Sequence, residues 1–161
     1  MKQEEFIAVI KEHQKLIYKV CNAYAQGQNR KDLEQEILIQ LWTSFDKYDG
    51  RVKMSTWIYK IALNTAISQY RKSLTEKKRQ STIDKSLFSF ADYDAGVDQQ
   101  IAQLYQFIEQ LNYLDKAIIL LYLDNYKYQE IAEIIGISKT NVASKINRIK
   151  TKLKKQFKNN K

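Results

Sequence analysis

The chain contains no proline and only four glycines in 161 residues. Proline removes a helical hydrogen bond and glycine costs about 1 kcal/mol inside a helix. Their scarcity leaves long stretches in which nothing interrupts a helix, and apolar residues recur through those stretches at spacings of three and four. The expected fold is therefore all-α, without sheet. The pattern lapses once, between Ser73 and Asp98, into clustered charges, Ser-Thr and an isolated apolar patch of Leu87, Phe88 and Phe90. This divides the chain into a helical domain at 1–72, a flexible linker at 73–97 and a second helical domain at 98–161.

In the first domain Phe6, Ile10, His13, Ile17, Val20 and Tyr24 mark one face of an amphipathic helix of about five turns. His13 has no second histidine and only one cysteine in the chain to join it, so it reads as a boundary residue, and no metal site or other cofactor is expected. Cys21 shares the stripe and reads as a small core hydrophobe. A lone cysteine forms no internal disulfide, and no apolar run reaches the length of a signal segment or a membrane span, which suits a cytoplasmic protein.

After a turn at Gly27 to Lys31, Asp32 is placed to cap a second helix, with Gln35 completing a capping-box-like pair. Leu33, Ile37, Leu38, Leu41, Trp42 and Phe45 form its inner face. Glu34, Gln35 and Glu36 lie off that stripe, where the helix dipole alone is sufficient reason for an acidic first turn. Asp46 to Lys53 is a loop. Ser55 or Thr56 is placed to cap a third helix whose inner residues are Trp57, Ile58, Ile61, Ala62 and Thr65. Its outer ridge carries Lys60, Asn64, Ser68 and Arg71, a set that can hold phosphates and read base edges, although an ordinary solvated face has the same composition.

Charge sets the second domain apart. The net charge of +9 comes entirely from Lys139 onward, where nine Lys or Arg stand with no acid, while the preceding residues balance at 18 of each sign. Such a block attracts a polyanion by counterion release. Ile101, Leu104, Ile108 and Leu111 open this domain, and Ile118, Ile119, Leu121, Tyr122 and Leu123 continue its core. Ala132, Gly136 and Val142 then fit a helix-turn-helix: a small residue for close packing, a glycine for a left-handed turn, a valine between the helices. Ser138 or Thr140 falls near the cap of the last helix. Val142, Ile146, Ile149 and Leu153 face inward, leaving Lys139, Thr140, Asn141, Ser144, Lys145 and Arg148 outside at the end that enters a major groove. Lys150, Lys152, Lys154 and Lys155 extend the charge along the flank.

The runs Asp32-Leu33-Glu34-Gln35-Glu36, Phe45-Asp46-Lys47-Tyr48 and Ser55 to Ala66 resemble the second domain of bacterial sigma factors, most closely of the extracytoplasmic-function (ECF) group. Tyr128 to Ser138 and Val142 to Arg148 resemble the fourth domain of the same group, in the family's order. The resemblance implies a subunit that binds core RNA polymerase and directs promoter-specific initiation. It gives Asp32, Gln35 and Glu36 the clamp helices of the polymerase beta-prime subunit as partner, and gives the fourth domain the beta flap. Lys60 and Asn64 then meet the minus-ten element, the Tyr48 to Met54 loop pockets a flipped base, and Tyr48 and Tyr59 offer stacking surfaces; Trp57 fits a core role better. The last helix reads the minus-thirty-five element, and an anti-sigma protein is expected as a regulator.

No room remains for the extra domains of housekeeping sigma factors. Ala143 stands where the family commonly has Lys or Arg and Asn141 where Thr is frequent, so the promoter sequence is not transferable; Asn112-Tyr113 stands where a proline is usual, which affects a helix boundary rather than function. The alternative reading is a helix-turn-helix regulator that binds operator DNA without joining the polymerase; it leaves the Asp32 to Glu36 and Ser55 to Ala66 segments unassigned. No carboxylate cluster, His pair, nucleophile motif or phosphate-binding glycine loop points to an enzyme.

Overall fold

A computed structural model describes residues 2–77 and 99–159. The chain divides into two compact units, Met1–Asp92 and Tyr93–Lys161, and every described element is helical. The first unit holds α1 (Lys2–Glu12), α2 (Gln14–Tyr24), α3 (Gln28–Ser44), a single 3₁₀ turn at Phe45–Lys47 and α4 (Met54–Lys77). The second holds α5 (Gln99–Gln110), α6 (Tyr113–Leu123), α7 (Tyr128–Ile135) and α8 (Lys139–Asn159). The first five residues assigned by sequence to the linker thus continue α4, and the linker's remainder, with its aromatic patch, lies outside the described residues.

The first unit is a three-helix core with α1 applied to it. Ile17, Val20, Cys21 and Tyr24 of α2 meet Leu33, Ile37 and Leu41 of α3 and Ile58, Ala62, Leu63 and Ala66 of α4, all buried. No residue of α1 is buried. It is held by Phe6, whose ring meets Trp42 edge-on at 5.1 Å and Phe45 at 5.3 Å, and by Lys2, which pairs with Asp46 at 2.9 Å.

Sequence periodicity gave one helix where the structure has two. His13 interrupts it: its backbone N–H donates to Val9 and Ile10 carbonyls, and its ring Nδ1 donates to the Val9 carbonyl at 2.9 Å. The ring thus adds a second donor to a carbonyl that the His13 N–H already uses, while that N–H is itself shared between the i−4 and i−3 carbonyls, the bifurcated pattern of a helix end, and α1 stops there. The expected caps are also corrected. Gly27, at φ 59° and ψ −131°, precedes α3, which starts at Gln28, so Asp32 lies in the second turn and caps nothing. That backbone conformation suits glycine, and Arg30 fixes the early start by donating to Asn22 Oδ1 at 2.8 Å. The acidic residues therefore stand one turn away from the dipole's positive end, which weakens the dipole as their explanation. Likewise α4 begins at Met54, one and two residues ahead of Ser55 and Thr56, so neither is its cap.

In the second unit Phe107, Ile108, Leu111, Ile119 and Ile149 form a buried cluster, flanked by Leu104, Tyr105, Tyr122 and Leu153. Ile101 and Leu123, expected in the core, are 47% and 44% exposed; they stand in the opening turn of α5 and at the last residue of α6. Asn112 caps α6, its side-chain oxygen accepting the Asp115 N–H at 2.8 Å. At the end of α7, Gly136 takes φ 86° and ψ 35°, and the Gly136 and Ile137 N–H groups both bond the Ala132 carbonyl, at 2.8 and 3.1 Å.

A Cβ on Gly136 would meet nothing within 4 Å, so the demand for glycine is conformational rather than steric. Gly136→Ala is expected to destabilise the second unit by about 1 kcal/mol through the left-handed backbone alone, measured by urea unfolding. Burial raises the Cys21 thiol to about 12, with Glu34 adding to the rise and Arg30 opposing it. Alkylation of native protein at pH 8 should accordingly be slow and accelerate only on denaturation.

Candidate nucleic-acid interface

The geometry of α8 is set at its first turn. Ser138 Oγ accepts the Asn141 N–H at 3.1 Å and the Ser138 carbonyl accepts the Val142 N–H at 3.0 Å, so Ser138, rather than Thr140, caps the helix. At the other end of α7, Lys127 N–H donates to Glu130 Oε1 at 3.0 Å, a bond the sequence reading did not anticipate. With both helices of the motif fixed at their joints, Val142, Ile146 and Ile149 turn fully inward at 0%, 0% and 1% exposure.

The opposite face follows from that burial. Lys139, Thr140, Asn141 and Ser144 are exposed and Lys145 is half-buried. Arg148 is exposed along half its side chain, and its Nη2 lies 3.6 Å from Oδ2 of Asp115, a carboxylate only 3% exposed. Sequence reasoning missed Asp115 because it stands 33 positions earlier, on α6. Lys150, counted by sequence among the flank cations, places its ammonium 4.7 Å from the Tyr122 ring centroid, and hydrogen bonding to the Tyr122 hydroxyl raises its pKa. An open cleft of about 540 Å³ beside Asp115 is lined on the α8 side by Lys152, Lys155 and Gln156.

In the first unit Lys60, Asn64, Ser68 and Arg71 are all exposed on α4, at the helical spacing that makes them one ridge. The loop ahead of α4 is closed by its own bonds. The Tyr48 hydroxyl donates to the Val52 carbonyl, its ring packs 5.3 Å from that of Trp57, and Asp49 accepts the Arg51 N–H at 3.1 Å. Trp57, only partly buried, also lies 6.4 Å from Phe45. Tyr59 is corrected: at 0% exposure it is a core residue with the Lys19 ammonium 5.9 Å from its ring, and offers no stacking surface. It was misjudged because α4 buries a wider face than the stripe of Trp57, Ile58 and Ile61 suggested.

On α3, Asp32 and Gln35 are exposed and Glu36 is partly so, accepting from Gln40 at 3.0 Å. Ile39 joins them seven residues after Asp32 and is 53% exposed. Its place outside the inner stripe was the available signal, and sequence reasoning passed over it. Among the described residues no helix is long and apolar enough to cross a membrane, and no three His, Cys, Asp or Glu gather as metal ligands.

A helix-turn-helix with a polar, cationic outer face, paired with a second helical unit carrying its own polar ridge, defines a two-part DNA-binding protein. Comparison with known families gives the more particular answer. Sigma-70 region 2 matches residues 9–74 and Sigma-70 region 4 matches residues 101–153. The ECF RNA polymerase sigma factor SigW of Bacillus subtilis is 27% identical, over 96% of this chain and 90% of its own. The ECF RNA polymerase sigma-E factor of Escherichia coli is 24% identical over 89% and 82%. Among solved structures, the sigma factor RpoE of Bartonella quintana, in complex with the anti-sigma factor NepR, shares the fold with a TM-score of 0.73, at 18% identity over 97% of this chain and 96% of that one. The chain belongs to the sigma-70 family, in its ECF group, and is a promoter-directing sigma factor.

Ser138→Ala is expected to cost the second unit about 1 kcal/mol of stability, the usual value of a lost N-cap, read as a lower thermal midpoint with the first unit unchanged.

Proposed function

We propose that the two units divide promoter recognition, with domain limits at 1–72 and 98–161. α8 reads the minus-thirty-five element through Lys139, Thr140, Asn141, Ser144, Lys145 and Arg148. The ridge of Lys60, Asn64, Ser68 and Arg71, with Tyr48 and its loop, engages the minus-ten element and its melted strand. The observation that carries this reading is the outer face of α8, exposed by a helix-turn-helix whose last helix and tail hold nine cations and no acid. Opening the duplex needs no covalent chemistry by this chain, because captured bases in pockets and on aromatic faces each contribute about 1 to 3 kcal/mol.

The α3 ridge docks on core RNA polymerase, Asp32, Gln35 and Glu36 meeting the clamp helices of beta-prime, while the second unit meets the beta flap. Ile39 supports a protein partner here, since an exposed isoleucine within an acidic ridge suits an interface with an apolar centre. An operator-binding regulator would have no use for that ridge. An anti-sigma factor is a further partner; the related RpoE is bound to one in its structure. Work of this kind places the chain in the cytoplasm, with the chromosome.

Added to sigma-free core polymerase, the chain is expected to give initiation at specific sites of a genomic fragment library; failure to associate with core in the absence of any inhibitor would overturn the reading. Lys145→Ala should weaken upstream promoter binding and lower the salt slope by about 1. Asn64→Ala should leave closed-complex binding near normal and reduce permanganate reactivity of the opened strand. Substitution of Glu36 should weaken association with core without altering either.

A further inference from the structure

Arg148 is the residue of the α8 outer face whose charge is tied to a neighbouring helix by a buried acid. We propose that Asp115 is a positioning residue that orients the Arg148 guanidinium to read one base pair of the minus-thirty-five element. The inference rests on the reading of α8 given above.

Three observations carry it. First, Asp115 is a rigid anchor: it is 2% exposed, sits in the first turn of α6, and its own N–H is held by Asn112 Oδ1 at 2.8 Å. Second, its carboxylate is not needed to build α6. Asn112 already supplies the cap, and Oδ1 of Asp115 is buried with no hydrogen-bond partner among the described residues. A buried carboxylate so little bonded costs stability that an apolar side chain of its size would not. Third, the pair leaves the arginine half free. Nη2 faces Oδ2 at 3.6 Å, an ion pair longer than a hydrogen bond, while 52% of the side chain remains exposed, so one nitrogen of a five-donor fork is drawn toward the acid and the side chain stays accessible.

Arg148 follows Ser144 by four residues and Asn141 by seven, which puts all three on one face of α8. A planar guanidinium held there matches the paired acceptors of a guanine in the major groove, a geometry that lysine does not reproduce. Neutralising phosphates needs no such anchor, and the exposed Lys152 and Lys154 of the same helix are available for it. The tether acts by removing rotamer freedom from Arg148 before DNA arrives, so that less is lost on binding.

The test uses holoenzyme reconstituted from the full chain and core polymerase, on a promoter it selects, with each minus-thirty-five base pair varied in turn. Wild type should prefer guanine at one position by about tenfold or more. Asp115→Asn should reduce the preference at that position to about threefold or less, sparing the other positions, and Arg148→Ala should abolish it. The double variant should bind no worse than Arg148→Ala alone. Evenly weakened binding to all sequences by Asp115→Asn, or its full effect persisting without Arg148, overturns the proposal and identifies a purely structural acid. If Asp115→Asn does not fold, Arg148→Lys decides: it keeps the charge and the salt dependence, and retention of the guanine preference overturns the proposal. A wild-type holoenzyme indifferent to every minus-thirty-five position would defeat the reading of α8 itself, a distinguishable failure.

Discussion

The register of α8 against α6 and α7 governs the second unit. Val142, Ile146 and Ile149 leave no room for rotation, since turning the helix by one residue would bring charged neighbours into a core of Ile119, Ile131 and Leu121. The burial of a few aliphatic side chains, worth about 1.5 to 3 kcal/mol each, therefore selects which residues face outward. The Ser138 cap and the left-handed Gly136 fix where the helix begins, and packing fixes its rotation. Every polar contact attributed to this helix inherits its geometry from those apolar ones.

The first unit obeys the same logic with a different outcome. α4 buries Ile58, Tyr59, Ala62, Leu63 and Ala66, and the width of that face leaves a narrow exposed ridge from Lys60 to Arg71. Ahead of it the Tyr48 hydroxyl closes on the Val52 carbonyl and the ring rests on Trp57. The loop that precedes the ridge is thus shaped before any ligand is present, which reduces the ordering cost of binding.

The helices and their inner faces were legible in the sequence because spacing of three and four survives folding unchanged, as Leu33, Ile37, Leu41, Val142, Ile146 and Ile149 illustrate. Helix starts were less so. Asp32, Ser55 and Thr56 have the chemistry of caps, but a cap forms only where the chain actually leaves the helix, and Gly27 and the Arg30–Asn22 bond moved that point. The break at His13 was hidden because its apolar stripe continues through it. Tyr59 was misplaced because an amphipathic residue on the edge of a stripe fits either side, and a third helix decides. The Asp115–Arg148 pair has no local signature at all, since it depends on α6 and α8 crossing.

The attachment of α1 gives the first unit an uneven resistance to opening. Ring edges at Phe6 and an ion pair whose Lys2 and Asp46 side chains are 38% and 72% exposed hold it, contacts worth on the order of 1 kcal/mol apiece. Since each 1.4 kcal/mol is a factor of ten in an equilibrium, its amides should exchange hydrogen with solvent orders of magnitude sooner than those of α2, α3 and α4. The segment ahead of His13 thus behaves as a separately melting unit, able to lift from Trp42 and Phe45 while the three-helix core remains intact.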